Sequence, residues 1–320
     1  MHDYTQHRWQ SLKQAEIAQL LNIALTEDLQ TAGDITCQAL ASKRPIGTTQ
    51  GSATIHARSA GTLAGTPLIP KILALVDADL VWTGNLNDAV DVDAGDVIGN
   101  IHGPALGLLM AERTVLNFLG RLSGIATLTK RYVDAVQGTK ANIYDTRKTT
   151  PGWRQLEKYA VVCGGGRNHR TGLFDAILIK DNHLALGRQE YGGIYFTPAQ
   201  AVVLAKEFLR NRRCKDNSGG SESVGVSFIP FVTIEVDTLE QLEEVLPAGP
   251  DIVLLDNMSA SQMIRAVQIR DAVKPAVQLE ASGGITLESV RRIAETGIER
   301  ISVGALTHSA VSLDFGLDWG

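Results

Sequence analysis

Arg147-Lys148, His169-Arg170 and Lys180 bring five potential cations into one stretch of the chain, and Glu235 and Asp256 add two carboxylates further along. Guanidinium groups bind carboxylates through paired hydrogen bonds and lysine acts as a point charge, so the cationic set suits a substrate with two carboxylates. Glu235 and Asp256 suit ribose hydroxyls, or a magnesium ion shared with phosphate. Ser282-Gly283-Gly284 and Val303-Gly304-Ala305 each precede a helical pattern. Glycine permits close backbone approach and a helix start favours anions, so both loops read as phosphate sites.

Plainer readings stand beside these. The cations could form structural ion pairs with Asp145, Asp181 or Asp256, and His169 alone reads as a satisfied histidine. Glu235 and Asp256 could be a glycosidase pair, although the surrounding cations suit an anionic substrate better. Lys180 could be the Schiff-base nucleophile of a class I aldolase, but such a lysine should be desolvated, and this one lies among cations. A non-catalytic ligand sensor would be expected to lack the carboxylates or the glycine loops, and both are present.

The elements that must position these residues are six short apolar runs, each ending in a polar or glycine-rich cluster. They are Ile143-Tyr144, Ala176 to Ile179, Phe231 to Ile234, Ile252 to Leu255, Val277 to Leu279 and Ile301 to Val303. Runs of this kind read as strands buried on both faces of a parallel sheet, with chemistry at their carboxyl ends, as in a (β/α) barrel. Ahead of them, residues 53 to 101 read as a small β-rich domain. A helical stretch from about Leu106 to Val136 is expected to break at Gly120 and Gly124, with Ser123 capping a second helix. Within a long gap before the third run, Thr197-Pro198 is expected to start a helix with Ala201, Leu204, Ala205, Phe208 and Leu209 on its apolar face. Residues 215 to 225 read as a polar loop.

A chain of 320 residues, 44% hydrophobic and 20% charged, can bury two domain cores. With no run of 18 apolar residues and no apolar leader, a cytoplasmic protein without a membrane span is expected. Cys37, Cys163 and Cys214 lack metal-ligand spacing and read as free thiols. Residues 113 to 180 hold twelve Lys or Arg against four Asp or Glu, a local +8 in a chain of net −5. Such an island favours a pocket for a small anion over a nucleic-acid surface.

Motifs along the chain then carry a resemblance. "EDLQTAGDIT" (27 to 36), "ERTVLNFLGRLSGIAT" (112 to 127) and "DTRKTTPGWRQLEKYAVVCGGGRNHRTGLFDAILIKDNH" (145 to 183) are followed by "IEVDT", "VLLDNM", "LEASGGI" and "ISVGALTHS". In this order they resemble the quinolinate phosphoribosyltransferase family, the carboxylating nicotinate-nucleotide pyrophosphorylases, over nearly the whole chain. The resemblance implies an N-terminal α/β sandwich domain (1–122, joined by 307–320) and an incomplete (β/α) barrel (123–306) with an insertion around 187–228. It implies a type II phosphoribosyltransferase that joins quinolinate to 5-phosphoribosyl 1-diphosphate, releasing diphosphate and carbon dioxide; a relative acting on another aromatic acid is the alternative. By the same resemblance Arg147, His169, Arg170 and Lys180 hold the carboxylates, and Lys148 meets the diphosphate, with Thr146 in the same binding motif. Glu235 and Asp256 serve ribose and magnesium, directly or through phosphate, with Lys148, Lys180, Glu235 and Asp256 as the catalytic set. Ser282, Gly283, Gly284, Val303, Gly304 and Ala305 hold phosphate, and Arg113 enters the site of a neighbouring subunit in a homodimer.

Overall fold

The computed structural model describes residues 3–41, 49–189, 196–216 and 231–320, with backbone alone for 41, 186–189 and 213–216. The chain begins with α1 (Gln14–Leu29), α2 (Ile35–Ala41), β1 (Gln50–Ala57), β2 (Gly61–Thr62), α3 (Ile69–Val76), β3 (Val81–Gly84), β4 (Asp91–Val92) and β5 (Val97–Pro104). The long helix α4 (Ala105–Ala135) leads to β6 (Asn142–Tyr144), α5 (Arg154–Cys163), β7 (Ile177–Ile179), α6 (Asp181–Gln189) and α7 (Pro198–Asp216). Strands and helices then alternate as β8 (Val232–Val236), α8 (Leu239–Val245), β9 (Ile252–Asp256), α9 (Ala260–Val273), β10 (Gln278–Ser282) and α10 (Leu287–Ala294). The last elements are β11 (Arg300–Ser302), α11 (Ala305–His308) and β12 (Phe315–Trp319).

Two compact units result. One, the barrel unit, takes the segment ending at Tyr4, Asp134–Arg147 and His169–Val303; the other takes Thr5–Val133, Lys148–Asn168 and Gly304–Gly320. These cuts differ from a division at 122/123, where α4 runs unbroken.

All six expected strands form one parallel sheet in the barrel unit, in the order β6-β11-β10-β9-β8-β7. The first strand pairs with the last, so the ring is closed by hydrogen bonds everywhere except between β6 and β7. This is an incomplete (β/α) barrel. Short connections keep it compact because helices start as soon as each strand ends. Thr238 caps α8 through the Gln241 N–H, Ser259 and Gln262 form a capping box on α9, and Thr286 and Ser289 do so on α10.

Register explains what faces the barrel interior. Glu235, Leu254, Glu280, Arg300 and Asn142 share one row across β8, β9, β10, β11 and β6, and Asp256 aligns with Ser282. Residues two apart along a strand share a face, so Thr233 joins Glu235, Ser282 joins Glu280, and Ser302 joins Arg300. β10 and β11 are therefore not the continuous apolar runs expected from sequence: polar residues alternate through both, and the interior takes them because they satisfy one another.

The second unit is an α/β sandwich whose sheet has the antiparallel order β12-β1-β5-β3. Alternate residues Ala53, Ile55 and Ala57 of β1 are buried, the pattern of a sheet covered on one face. Helix α4 contradicts the expected break. Ser123 is fully buried in mid-helix, where its hydroxyl takes the Ala64 N–H (3.0 Å) and donates to the Ala64 carbonyl (3.1 Å). Gly120 and Gly124 lie under the strand of chain at 311–313; a Cβ on Gly120 would sit 2.8 Å from the Leu313 oxygen. These glycines admit a crossing segment rather than end a helix, and close packing offsets their helix cost of about 1 kcal/mol each.

Helix α7 begins at Pro198 as expected, but it packs through Val202, with Leu204 and Phe208 exposed. Residues 217–225 of the expected loop lie outside the described residues. Cys37 and Cys163 are free and buried, and the Cys214 side chain is outside the described residues. Among the described residues no helix is long and apolar enough to cross a membrane.

Candidate active site

The barrel unit brings Arg147, Lys180, Glu235, Asp256 and the Ser282-Gly283-Gly284 turn to its strand ends, and carries Arg170 in the connection before β7. Lys180 directly follows β7 and donates to Glu235 Oε2 at 2.7 Å; the lysine side chain is 43% exposed and the glutamate 11%. Lys180 is thereby paired with a carboxylate that had been assigned to ribose and metal, not with Asp145, Asp181 or Asp256. An exposed, ion-paired amine is a poor Schiff-base nucleophile, which weighs against the aldolase reading. Asp256 ends β9 and accepts from the Asn257 side chain at 2.8 Å.

Asn257 has a left-handed backbone (φ 53°) and donates its N–H to the Ser282 carbonyl at 2.9 Å. Its side chain fills the space that a Cβ on Gly283 (φ +96°) would need. Only glycine fits there, so β9 and β10 end in a locked double turn beside Asp256.

Arg147 and Arg170 form the least satisfied part of the site. Arg170 is buried, and its guanidinium donates to the Ala176 carbonyl at 3.2 Å. Burial, and then the charge of Arg147, push the Arg170 guanidinium below its ordinary range. Arg147 Nε is buried with no hydrogen-bond partner. Among the described residues neither arginine is in an ion pair, so the pairing with aspartates weighed from sequence does not occur for these two. Two neighbouring cations held this way are costly unless an anion joins them. Beside Arg170 a cleft of about 360 Å³ runs along β7, walled by Leu178, Ile179, Phe196 and Leu204. An apolar wall next to a guanidinium suits a planar ring carrying a carboxylate.

A second polar cluster in the same unit was largely missed from sequence. Fully buried Glu280 takes Arg300 Nε at 3.0 Å and the Ser302 hydroxyl, and lies 3.4 Å from His169 Nε2. Burial opposes its ionisation, but His169, Arg300 and the Ser302 hydrogen bond outweigh that and hold the carboxyl at about 2. Arg300 is 1% exposed, stacks over the Tyr144 ring at 3.7 Å and reaches Asp3 at 3.4 Å. His169 is anchored on all sides. Its N–H donates to buried Asp145 at 2.8 Å, and its Nδ1 accepts the Arg170 N–H at 2.7 Å. With Nδ1 accepting, the ring proton lies on Nε2, facing Glu280 and the Tyr4 hydroxyl. His169 thus faces into the protein at both ring nitrogens. The signal for this cluster was the alternation Gln278-Leu279-Glu280-Ala281-Ser282 and Arg300-Ile301-Ser302 in strands that must be buried.

Of the remaining expected residues, Arg113, Lys148, Gly304 and Ala305 lie in the sandwich unit and Thr146 and Val303 in the barrel unit. Lys148 is exposed, its carbonyl accepts from the Thr307 hydroxyl at 2.7 Å, and its stem lies 2.9 Å from where a Cβ on Gly304 would be. Lys148 and the Gly304-Ala305 turn are therefore neighbours. A buried Glu157 braces this region, taking the Thr150 N–H (3.0 Å) and pairing with Arg121 at 2.7 Å. Arg113 is exposed on α4. Val303 is buried and donates its N–H to the Tyr144 carbonyl at 2.9 Å, and Thr146 is half-buried beside Arg147 in sequence. Among the described residues no cluster of three or more His, Cys, Asp or Glu could hold a metal by itself.

Comparison with known proteins gives a consistent result. The family model described as the N-terminal domain of quinolinate phosphoribosyl transferase matches residues 34–123, and that of the C-terminal domain matches 125–191 and 221–318. Residues 192–220, inside the expected insertion, fall between its two matched parts. A protein of Bacillus subtilis named as a probable carboxylating nicotinate-nucleotide pyrophosphorylase is 38% identical over 303 residues, 95% of this chain and 93% of that one. The carboxylating nicotinate-nucleotide pyrophosphorylase of Mycobacterium leprae is 42% identical over 298 residues, 92% of this chain and 94% of its own. Among solved structures, the nicotinate-nucleotide pyrophosphorylase of Francisella tularensis has a TM-score of 0.82 at 35% identity, covering 99% of this chain and 100% of that one.

Proposed function

We infer the chemistry of this protein from one premise: the chain belongs to the quinolinate phosphoribosyltransferase family. It is a decarboxylating phosphoribosyltransferase of NAD biosynthesis, converting quinolinate and 5-phosphoribosyl 1-diphosphate to nicotinate mononucleotide, diphosphate and carbon dioxide. The observation that carries the residue assignment is the Arg147–Arg170 pair, two neighbouring like charges, one buried and one half-buried, neither of them in an ion pair among the described residues. Arg147, Arg170 and Lys180 take the quinolinate carboxylates, with the apolar cleft wall against the ring. His169 joins this group by orienting Arg170 rather than by offering a free ring nitrogen. Thr146 contributes from the same motif.

Lys148 receives the diphosphate, a role supported by its exposed side chain beside the Gly304-Ala305 turn. Ser282, Gly283, Gly284 and Val303 serve phosphate at the barrel strand ends. Glu235 and Asp256 bind the ribose, and their hard oxygens fit a magnesium ion that arrives with phosphate and keeps most of its other ligands from phosphate and water. Such an ion would supply positive charge to the departing diphosphate. Arg113 acts at the site of a second copy in a homodimer, a reading supported by its exposure on α4 and by exposed Leu109 one turn earlier. Buried free thiols fit a cytoplasmic setting.

The residues do their work by alignment and charge. Cleavage at ribose C1 builds positive charge on the sugar and negative charge on the diphosphate, which Lys148 stabilises through preorganised electrostatics. The arginine clamp holds the pyridine nitrogen in line with C1; fixing two reactants in this way is worth roughly 7–11 kcal/mol. Once that nitrogen is bonded to C1 and cationic, the neighbouring carboxylate leaves as carbon dioxide, and the ring charge stabilises the electron pair left behind until a proton replaces it. The test is a coupled measurement of carbon dioxide and diphosphate from quinolinate and the donor, with nicotinate as control. Equal, stoichiometric release with quinolinate alone is expected; turnover of nicotinate instead would assign the chain to another aromatic acid.

A further inference from the structure

Tyr4 packs into the barrel unit at strand amino ends, where Arg170 also reaches the Ala176 carbonyl. Its ring packs with Ala176, Phe231 and Ile252, which lie at the amino ends of β7, β8 and β9, and meets Phe231 edge-on at 5.2 Å between centroids. From there its hydroxyl reaches inward, to Thr233 Oγ1 at 3.1 Å and His169 Nε2 at 3.4 Å. The Tyr4 and His169 rings stack at 4.4 Å with 29° between their planes. Burial pushes the Tyr4 phenol well above its ordinary range, so the hydroxyl keeps its proton.

We propose that Tyr4 is a positioning residue for the carboxylate clamp, acting through His169 on Arg170. The structural chain is short. Tyr4 fixes the plane of the His169 ring by stacking and its Nε2 side by the hydroxyl; His169 Nδ1 then holds the Arg170 N–H, which sets where the Arg170 guanidinium projects. The flanking residues are pinned as well, within the sandwich unit: the His7 N–H donates to Asn168 Oδ1 at 2.7 Å, and the Asn168 N–H donates to Gln6 Oε1 at 2.8 Å. The segments that carry Tyr4 and His169 are thus each held one to three residues away. Thr233 takes no part in the assigned chemistry, yet it is fully buried and turned to the Tyr4 hydroxyl, so the contact is built rather than incidental. This role rests on the function proposed above.

The experiment uses the full chain with Tyr4→Phe, which keeps the ring and removes the hydroxyl, and Tyr4→Leu, which removes the stack. Quinolinate and 5-phosphoribosyl 1-diphosphate are titrated separately by calorimetry, with KM for each, kcat and thermal unfolding measured in parallel. Loss of one buried hydrogen bond should weaken quinolinate binding about three- to ten-fold in Tyr4→Phe, and more in Tyr4→Leu, with donor binding unchanged. Quinolinate affinity equal to wild type in Tyr4→Phe would overturn the proposal. So would equal weakening for both ligands alongside a lower unfolding temperature, the mark of a purely structural role. A wild-type protein that binds quinolinate but releases no carbon dioxide would instead overturn the assigned reaction, while the effect of Tyr4 on quinolinate affinity would still be read.

Discussion

Two charged clusters in the barrel unit are built on opposite rules. Around Glu280 the charges close on one another: His169, Arg300 and Ser302 meet one carboxylate, and Arg300 is further held by Asp3 and two tyrosine rings. At the Arg147–Arg170 pair the charges repel and neither guanidinium is in an ion pair among the described residues, although each cluster holds one buried donor without a hydrogen-bond partner, Arg147 Nε in one and Arg300 Nη2 in the other. A folded chain keeps the first kind for its own integrity, whereas the second becomes favourable only when an anion arrives. Within one barrel, the presence of an opposite charge therefore separates structure from recognition better than net charge or burial does.

That contrast can be broken most forcefully at Glu280. Glu280→Ala leaves Arg300 buried without its main partner and should cost about 3–5 kcal/mol of unfolding free energy, read from urea titration. A loss below about 1 kcal/mol would mean that the cluster is not a structural ion network. The same carboxylate predicts a pH dependence. Its folded-state value near 2 lies below the ordinary 4.5, so its stabilisation is complete above pH 4.5 and is lost as the pH falls toward about 2. Wild type should lose more stability than Glu280→Gln between pH 5 and pH 3; parallel losses would show that Glu280 does not carry the effect.

The arginine pair should behave in the opposite way. Arg147→Ala or Arg170→Ala should weaken quinolinate binding by about 2 kcal/mol, roughly thirty-fold, while stability holds or rises slightly as repulsion is relieved. A variant that unfolds more readily but binds quinolinate normally would place this pair with the structural cluster.

Much of the barrel was legible because its strands are short apolar runs ended by polar clusters, and parallel pairing has few other uses for such runs. All six were placed from sequence, and Arg147, Lys180, Glu235, Asp256 and Ser282 do stand at or just beyond strand ends, whereas Arg170 lies in the connection before β7. Other readings failed for physical reasons. Gly120 and Gly124 looked like helix breakers because nothing local reveals the segment at 311–313 that needs their missing side chains. The apolar face of α7 was drawn through Leu204 and Phe208, since a helix with apolar residues on more than one side does not declare which side is covered. Tyr4 gave no signal at all. Its partners lie 165 and 229 residues away, and an isolated aromatic near a chain end carries no periodicity to interpret.

The amino-acid order by itself determined which residues sit at strand ends, because hydrophobic run length and turn chemistry act over a few neighbours. Only the tertiary structure decided which charges are satisfied. Pairing of Glu280 with Arg300 and His169, and its absence at Arg147 and Arg170, depends on side chains from separate strands meeting inside one barrel, where low dielectric makes each missing partner count.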